Sequence, residues 1–146
     1  MGGKFSFCRD AERETLDWGE MTWLSRPDTT GATQLVMIEV VLKPGGGHDF
    51  HLHPGQEEVI YVVSGTIEQW LLEDRRELTP GDSIFIPPDT VHASFNVSDE
   101  PAKLMVALGP CVGEAGYDLV DVSDRAPWNA LRRVPSPGGE ETKTIP

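Results

Sequence analysis

His51 and His53 stand two residues apart, and on an extended strand side chains at that spacing leave the same face. Pro54 and Gly55 follow as turn residues, and Glu57 and Glu58 open a run of β-branched and aromatic residues that ends at Gly65. A chain reversal of this kind brings one of the two carboxylates back beside the imidazoles. Two imidazoles and a carboxylate converging in this way are the makings of a transition-metal site. Residues 45–65 hold three of the chain's four histidines, the third being His48. His48 follows Gly45, Gly46 and Gly47 and is read as an exposed loop histidine, with a contact to substrate as the alternative.

The elements that must hold these residues are strands. Residues 34–42 are strongly β-branched and too short for a typical helix, and the cluster Lys43, Pro44, Gly45, Gly46, Gly47 breaks them off. Residues 50–53 and 57–64 are expected to form a hairpin, followed by strands at 66–72, 75–78 and 83–86. Thr79, Pro80, Gly81 and Asp82 form a turn in which Pro fixes φ and Gly supplies the positive φ after it. Residues 91–97 and 102–108 read as a last hairpin. Short strands at this spacing, with almost no helical periodicity, predict an all-β sandwich or barrel.

The flanks read differently. Residues 1–31 look irregular and belong to an N-terminal arm taken as residues 1–33. Trp18 and Trp23 are expected to anchor it on the barrel wall, cover for a ligand pocket being the alternative. The core is placed at 34–110 and a C-terminal extension on the barrel at 111–133. Within that extension residues 117–122 suggest an edge strand, and Pro127-Trp128 a short helix. From residue 134 onward the composition predicts a flexible tail.

Composition limits the function classes. A chain of 146 residues and 16.0 kDa fits one domain. A net charge of −12 argues against nucleic acid and anionic membranes as partners. No run of 18 apolar residues occurs, and Arg9, Glu12, Arg13 and Glu14 interrupt any signal-peptide pattern, so a cytoplasmic location is expected. Cys8 and Cys111 form no cluster and read as buried thiols.

The spacing of the motifs resembles the cupin superfamily. Gly45, His51, His53, Glu58 and Gly65 fit its first motif, and Gly81, Pro87, His92 and Asn96 fit its second. Asp89 stands where the second motif usually has glycine, and Asp tolerates the turn conformation required. The resemblance implies a small double-stranded β-helix, a jelly-roll barrel of two antiparallel sheets with a divalent transition metal in its lumen. Carried over by position, the metal ligands are His51, His53, Glu58 and His92. Strand alternation supports Glu58, which falls with Ile60 and Val62, whereas Glu57 falls with Val59, Tyr61 and Val63 on the other face. Asn96 is read as satisfying turn backbone groups.

Three imidazoles and a carboxylate suit Mn, Fe, Co, Ni, Cu or Zn, and leave open positions on a six-coordinate ion. The expected function is a metal-dependent enzyme of dioxygenase type acting on a small organic molecule. Isomerase or lyase chemistry, and a non-catalytic metal or small-ligand binding module, are the alternatives. Glu57 or His48 could act as acid or base. Ile60, Val62 and Ser94 are expected to line the lumen. Trp70, Phe85, Phe95 and Met105 are read as packing residues that could add to that lining. No basic residue is firmly placed inside, so a strongly anionic substrate is not favoured. The resemblance also implies a homodimer, for which the Trp18–Trp23 region and residues 117–128 are the candidate surfaces.

Overall fold

A computed structural model describes residues 2–132, 134–135 and 141–142 of the chain. In chain order the strands are β1 (Glu12–Leu16), β2 (Gly19–Ser25), β3 (Val36–Leu42), β4 (Gly47–Leu52), β5 (Glu57–Ser64) and β6 (Ile67–Leu71). They continue with β7 (Asp74–Leu78), β8 (Ser83–Ile86), β9 (His92–Phe95), β10 (Ala102–Gly109) and β11 (Val120–Asp121). Among the described residues helix is confined to a 3-10 turn at Cys8–Asp10 and two short α-helical turns, α1 (Pro27–Thr30) and α2 (Trp128–Leu131). A six-stranded antiparallel sheet runs β1-β2-β3-β10-β5-β8, and a five-stranded one runs β11-β4-β9-β6-β7. The fold is the expected all-β double-stranded β-helix. Among the described residues no helix is long and apolar enough to cross a membrane.

Alternation decides which residues face inward. In β3 Val36, Ile38, Val40 and Leu42 are buried while the residues between are half-buried, and β10 repeats the pattern with Ala102, Leu104, Val106 and Leu108. With Ile60, Val62, Ile67 and Ile86 they fill the space between the sheets. A second cluster, Phe50, Trp70, Val91, Ala93, Phe95 and Val122, lies on the outer side of the five-stranded sheet, with Trp128 and Leu131 packed on it. Trp70 and Phe95 therefore sit in this outer cluster, not in the lumen. Phe85 is exposed and Met105 alternates with the inward residues of β10, so neither lines the lumen.

Three local expectations are corrected. Residues 1–31 are not irregular: β1 and β2 form a hairpin that extends the six-stranded sheet through β3. Its edge strand β1, Glu-Arg-Glu-Thr-Leu, has no apolar alternation because neither of its faces is buried. The two expected hairpins that span the site are corners. β4 bonds to β9 and β11 while β5 bonds to β10 and β8, and β9 and β10 likewise lie in different sheets. The glycine cluster ends earlier than expected, and His48 belongs to β4.

Two turn residues behave as their chemistry requires. Asp89 adopts φ 61°, and its carboxylate accepts the Gly55 N–H at 3.1 Å, which ties the turn after His53 to the turn before His92. The Asn96 amide donates to the carbonyls of Leu42 (3.0 Å) and Glu100 (2.6 Å), and its oxygen accepts the Ser98 N–H. In the C-terminal extension the expected strand shortens to β11 and the helix to the single turn α2. The tail expected from residue 134 falls mostly outside the described residues, which hold only the pairing of Val134–Pro135 with Glu141–Thr142.

Candidate metal centre

His51 lies on β4, His53 just beyond its end, His92 opens the neighbouring β9, and Glu58 reaches in from β5 on the opposite sheet. His51 and His92 are register partners across the β4–β9 ladder. A bulge between His48 and His51 breaks the strict alternation of β4. All four side chains are buried. One ligand-type nitrogen from each of His51, His53 and His92 lies within 4.8 Å of the others, a group that could hold a metal ion. Glu57 is exposed, as alternation requires.

Backbone carbonyls fix the tautomer of each ring. His51 Nδ1 contacts the Asp49 carbonyl at 2.6 Å, His53 Nδ1 that of Asp118 at 2.7 Å, and His92 Nδ1 that of Thr90 at 2.9 Å. A carbonyl only accepts, so each Nδ1 carries the proton and donates it. In the neutral ring Nε2 is then a lone pair, the form that binds metal. The Glu58 Oε1 stands 2.8 Å from His92 Nε2 and 3.4 Å from His53 Nε2. Glu58 Oε1 and His92 Nε2 are nonetheless buried without a hydrogen-bond partner. Lone pairs facing a carboxylate oxygen at this range repel unless positive charge joins them. A divalent cation supplies that charge, so the residues present fit a transition metal.

Electrostatics agree with neutral rings at His51 and His53. Burial first, and then His48, His92 and His53, hold His51 well below the ordinary imidazole value. Burial also lowers His53, against the opposing pull of Glu58 and the Asp118 carbonyl. Burial on its own pushes Glu58 up, but His92, with His53 and His48, outweighs it and leaves its carboxyl below the usual value. That help lasts only while imidazoles are charged; with the rings neutral, a bound cation would supply it instead.

His48 is half-buried and stacks face to face on His51, with centroids 3.7 Å apart, and on Trp18 at 5.5 Å. Burial, partly opposed by Glu58, pulls His48 down to about 4. It is therefore part of the site wall and not an exposed loop histidine. Ser94 faces the lumen as expected, donating to Gln69 Oε1 at 2.6 Å.

Sequence reading missed Gln56, Asp118 and Tyr117. The buried Gln56 amide donates to the carbonyls of Pro110 (2.8 Å) and Gly116 (3.0 Å) and accepts the Asp118 N–H (3.0 Å). It thereby holds the 110–118 loop, whose Asp118 carbonyl orients His53. Tyr117 from the same loop packs against His53 with centroids 5.8 Å apart. Burial first, then Glu14, raises its phenol above the usual value. Loop residues that act through backbone groups leave no spacing pattern. The only local signal is the pair of glycines, Gly113 and Gly116, both at positive φ.

A jelly-roll barrel with imidazoles and a carboxylate meeting between its sheets is a cupin-type barrel with a candidate metal site. The family model of the cupin domain matches residues 38–108, and the chain belongs to the cupin superfamily. Protein SchB of Streptomyces halstedii is 34% identical over 106 residues, covering 73% of this chain and 77% of that protein. Polyketide synthase CurC of Streptomyces cyaneus is 32% identical over 117 residues, covering 80% of this chain and 76% of that protein. Among solved structures, KdgF from Halomonas sp. superposes with a TM-score of 0.67 at 22% identity, over 78% of this chain and 99% of that one. The last similarity is one of fold alone.

Proposed function

We propose that this chain is a metal-dependent enzyme of dioxygenase type that acts on a small organic molecule in the barrel lumen, with His51, His53, Glu58 and His92 as the ligands. The observation that carries the reading is the set of three backbone-fixed Nδ1–H groups, which turns three Nε2 lone pairs toward one another beside a buried carboxylate. A divalent transition metal bound by four protein groups supplies open coordination positions and Lewis acidity. The protein's part is binding, orientation and exclusion of water. Ile60, Val62 and Leu104 keep the lumen dry. The Gln69–Ser94 pair adds a polar patch on the five-stranded side, and Gln69 also lines a cavity of about 200 Å³ with Leu71, Leu78 and Ile84 and the polar Asp74, Arg76 and Ser83. Of the two acid–base candidates, Glu57 faces outward, so His48 beside His51 is the one placed to accept a proton.

A non-redox reaction, isomerase- or lyase-like, is the second reading. The relative named a polyketide synthase favours it, because polyketide chains are rich in enolisable carbonyls that the same ligand set can orient. A cytoplasmic enzyme with no nucleic-acid partner completes the proposal.

The test is elemental analysis of protein purified without added metal, followed by oxygen-uptake assays with β-diketones, flavonoids and catechols. Bound redox metal with substrate-dependent uptake supports dioxygenation. Turnover of a diketone without uptake supports the second reading. Absence of both metal and turnover leaves a non-catalytic binding module.

A further inference from the structure

β7 and β8 are each the last strand of their sheet, and the turn at residues 79–82 joins them. Where their edges meet lies the cavity of about 200 Å³, walled by Gln69, Leu71, Asp74, Arg76, Leu78 and Ile84. These walls belong to the lumen. Ile67, Gln69 and Leu71 alternate inward along β6, and their register partners on β7 are Leu78, Arg76 and Asp74, which share that face. Ile84 faces in from the other sheet beside its partner Ile60. Leu71, Leu78 and Ile84 pack on the core between the sheets yet are only half-buried, so the core opens to solvent here. The sequence places no basic residue in the barrel, but the register sets Arg76 on the inner face at its rim, while the adjacent Arg75 faces outward with Trp70.

Polar groups connect the cleft with the metal site. His48 pairs in register with Ser94, Ser94 with Gln69, and Gln69 with Arg76, one row from the site wall to the cleft. Gln69 and Ser94 are both buried. In the adjacent row Leu71 is the partner of His92, so a wall of the cavity stands one strand spacing, about 5 Å, from a proposed ligand. Arg76 already faces a carboxylate. Its Nε and Nη2 lie 3.3 Å from Asp74 Oδ1 and Oδ2, the two-pronged arrangement of a guanidinium on a carboxylate. Both contacts are longer than those of a tight charged pair, and the two side chains are 76% and 60% exposed, so the pair contributes little and is easily exchanged.

We propose that the β7–β8 cleft is a binding subsite for the carboxylate of an aromatic acid, with Arg76 gripping that carboxylate in place of Asp74 and Leu71, Leu78 and Ile84 enclosing the ring. The inference rests on the functional reading above and deepens it by naming a substrate class. Aliphatic side chains from both sheets select a flat apolar body, and the guanidinium fork selects a planar anion at its end. The end of the molecule remote from the carboxylate then faces the Gln69–Ser94 pair and the row of His92.

The test titrates zinc-loaded full-length protein with 4-fluorobenzoate and with 4-fluorobenzamide, which keeps the shape without the charge, and follows both by fluorine NMR. Wild type should bind the acid roughly 10-fold more tightly than the amide, the effect of one hydrogen-bonded charge. In Arg76→Gln that preference should vanish while the amide binds as before. Asp74→Asn should tighten the acid roughly 2- to 5-fold by removing the competing carboxylate of an exposed pair. Arg75→Gln, on the outward face, should leave the preference intact. Equal affinities in wild type overturn the proposal, and so does a preference that survives in Arg76→Gln or falls equally in Arg75→Gln. An Asp74→Asn protein that binds the acid no more tightly overturns it as well. Manganese(II) in place of zinc should broaden the fluorine signal of a probe bound near the histidines. Acid that binds through Arg76 without that broadening keeps the cleft site and counts against the functional reading alone.

Discussion

Glu58→Gln keeps the size and burial of the side chain and removes only the charge, so it isolates what the carboxylate contributes. With Nε2 of His53 and His92 at 3.4 and 2.8 Å, a neutral amide offers any cation only a weaker carbonyl oxygen and no charge beside the imidazoles. Metal affinity should fall by more than the roughly 10- to 100-fold typical of losing an outer hydrogen bond. His51→Ala should do the same, and elemental analysis of both variants checks it; full occupancy in both refutes the ligand set. The same residues set the acid response of the metal-free protein. Folded-state values of His48, His51 and His53 are all lowered, so the unfolded chain takes up protons first as pH falls. Stability is complete above the unfolded value of about 6.5. For His48 it should decline by ~1.4 kcal/mol per pH unit until its own value of about 4 is reached. Urea midpoints of chelator-treated protein at pH 7, 6 and 5 measure this, and a flat profile contradicts it. The site was legible at this scale because ligand chemistry restricts residue type and strand geometry restricts spacing. Arg76 was not legible, since nothing in β7 alone shows which of two adjacent arginines faces inward.

At the scale of elements, the site depends on a loop that carries no ligand. Gln56 gathers two carbonyls and one N–H of the 110–118 loop, and that loop returns the Asp118 carbonyl to His53 Nδ1. Gln56→Ala should therefore weaken metal binding roughly 10- to 100-fold, the range for lost outer partners, although the residue touches no ligand. Hydrogen exchange should rise over 110–118 and remain unchanged in β6 and β7, where a general loss of stability would be felt as well. On the far side of the barrel, Arg132 lies over Phe95 at 3.6 Å and pairs with Glu68 at 2.6 Å, anchoring the C-terminal extension. Glu68→Ala leaves a buried guanidinium unpaired and should cost about 3 kcal/mol in chemical unfolding. Strand positions could be read because alternation and turn residues mark them. Sheet membership could not: a Pro-Gly step serves a hairpin and a corner alike, and only the β9 and β11 ladders reveal that β4 never pairs with β5. The polar strand β1 escaped for a related reason, having no buried face to write an apolar period into its sequence.

For the whole molecule, a further surface is a candidate for the expected homodimer. Of the segments expected to pair, Trp23 is committed to the core and Trp128 packs on the outer cluster. Among the described residues the outer face of the six-stranded sheet is left uncovered. Val59, Tyr61, Val63 and Phe85 are each 41–53% exposed, and the register makes them neighbours. Phe85 pairs with Val59, Val59 with Ala107, and Tyr61 with Met105, in continuous rows across β8, β5 and β10. Glu39 and Lys103 stand together at the margin, 3.9 Å apart, so the centre of the patch carries no charge and the rim carries both signs. An aromatic, uncharged centre with a mixed rim is the usual layout of a protein interface. A second copy is the natural occupant, because a two-fold axis through the patch sets each apolar row against its own counterpart. A net charge of −12 per chain opposes association at low salt, so the patch must outweigh that repulsion. Light scattering should give twice the 16.0 kDa chain mass, more completely at 150 mM salt than at 10 mM. The double variant Tyr61→Glu, Phe85→Glu should sediment as a monomer with its metal content unchanged, because both side chains point away from the lumen. A wild-type monomer at micromolar concentration rules out the interface, and a double variant that remains dimeric places it elsewhere.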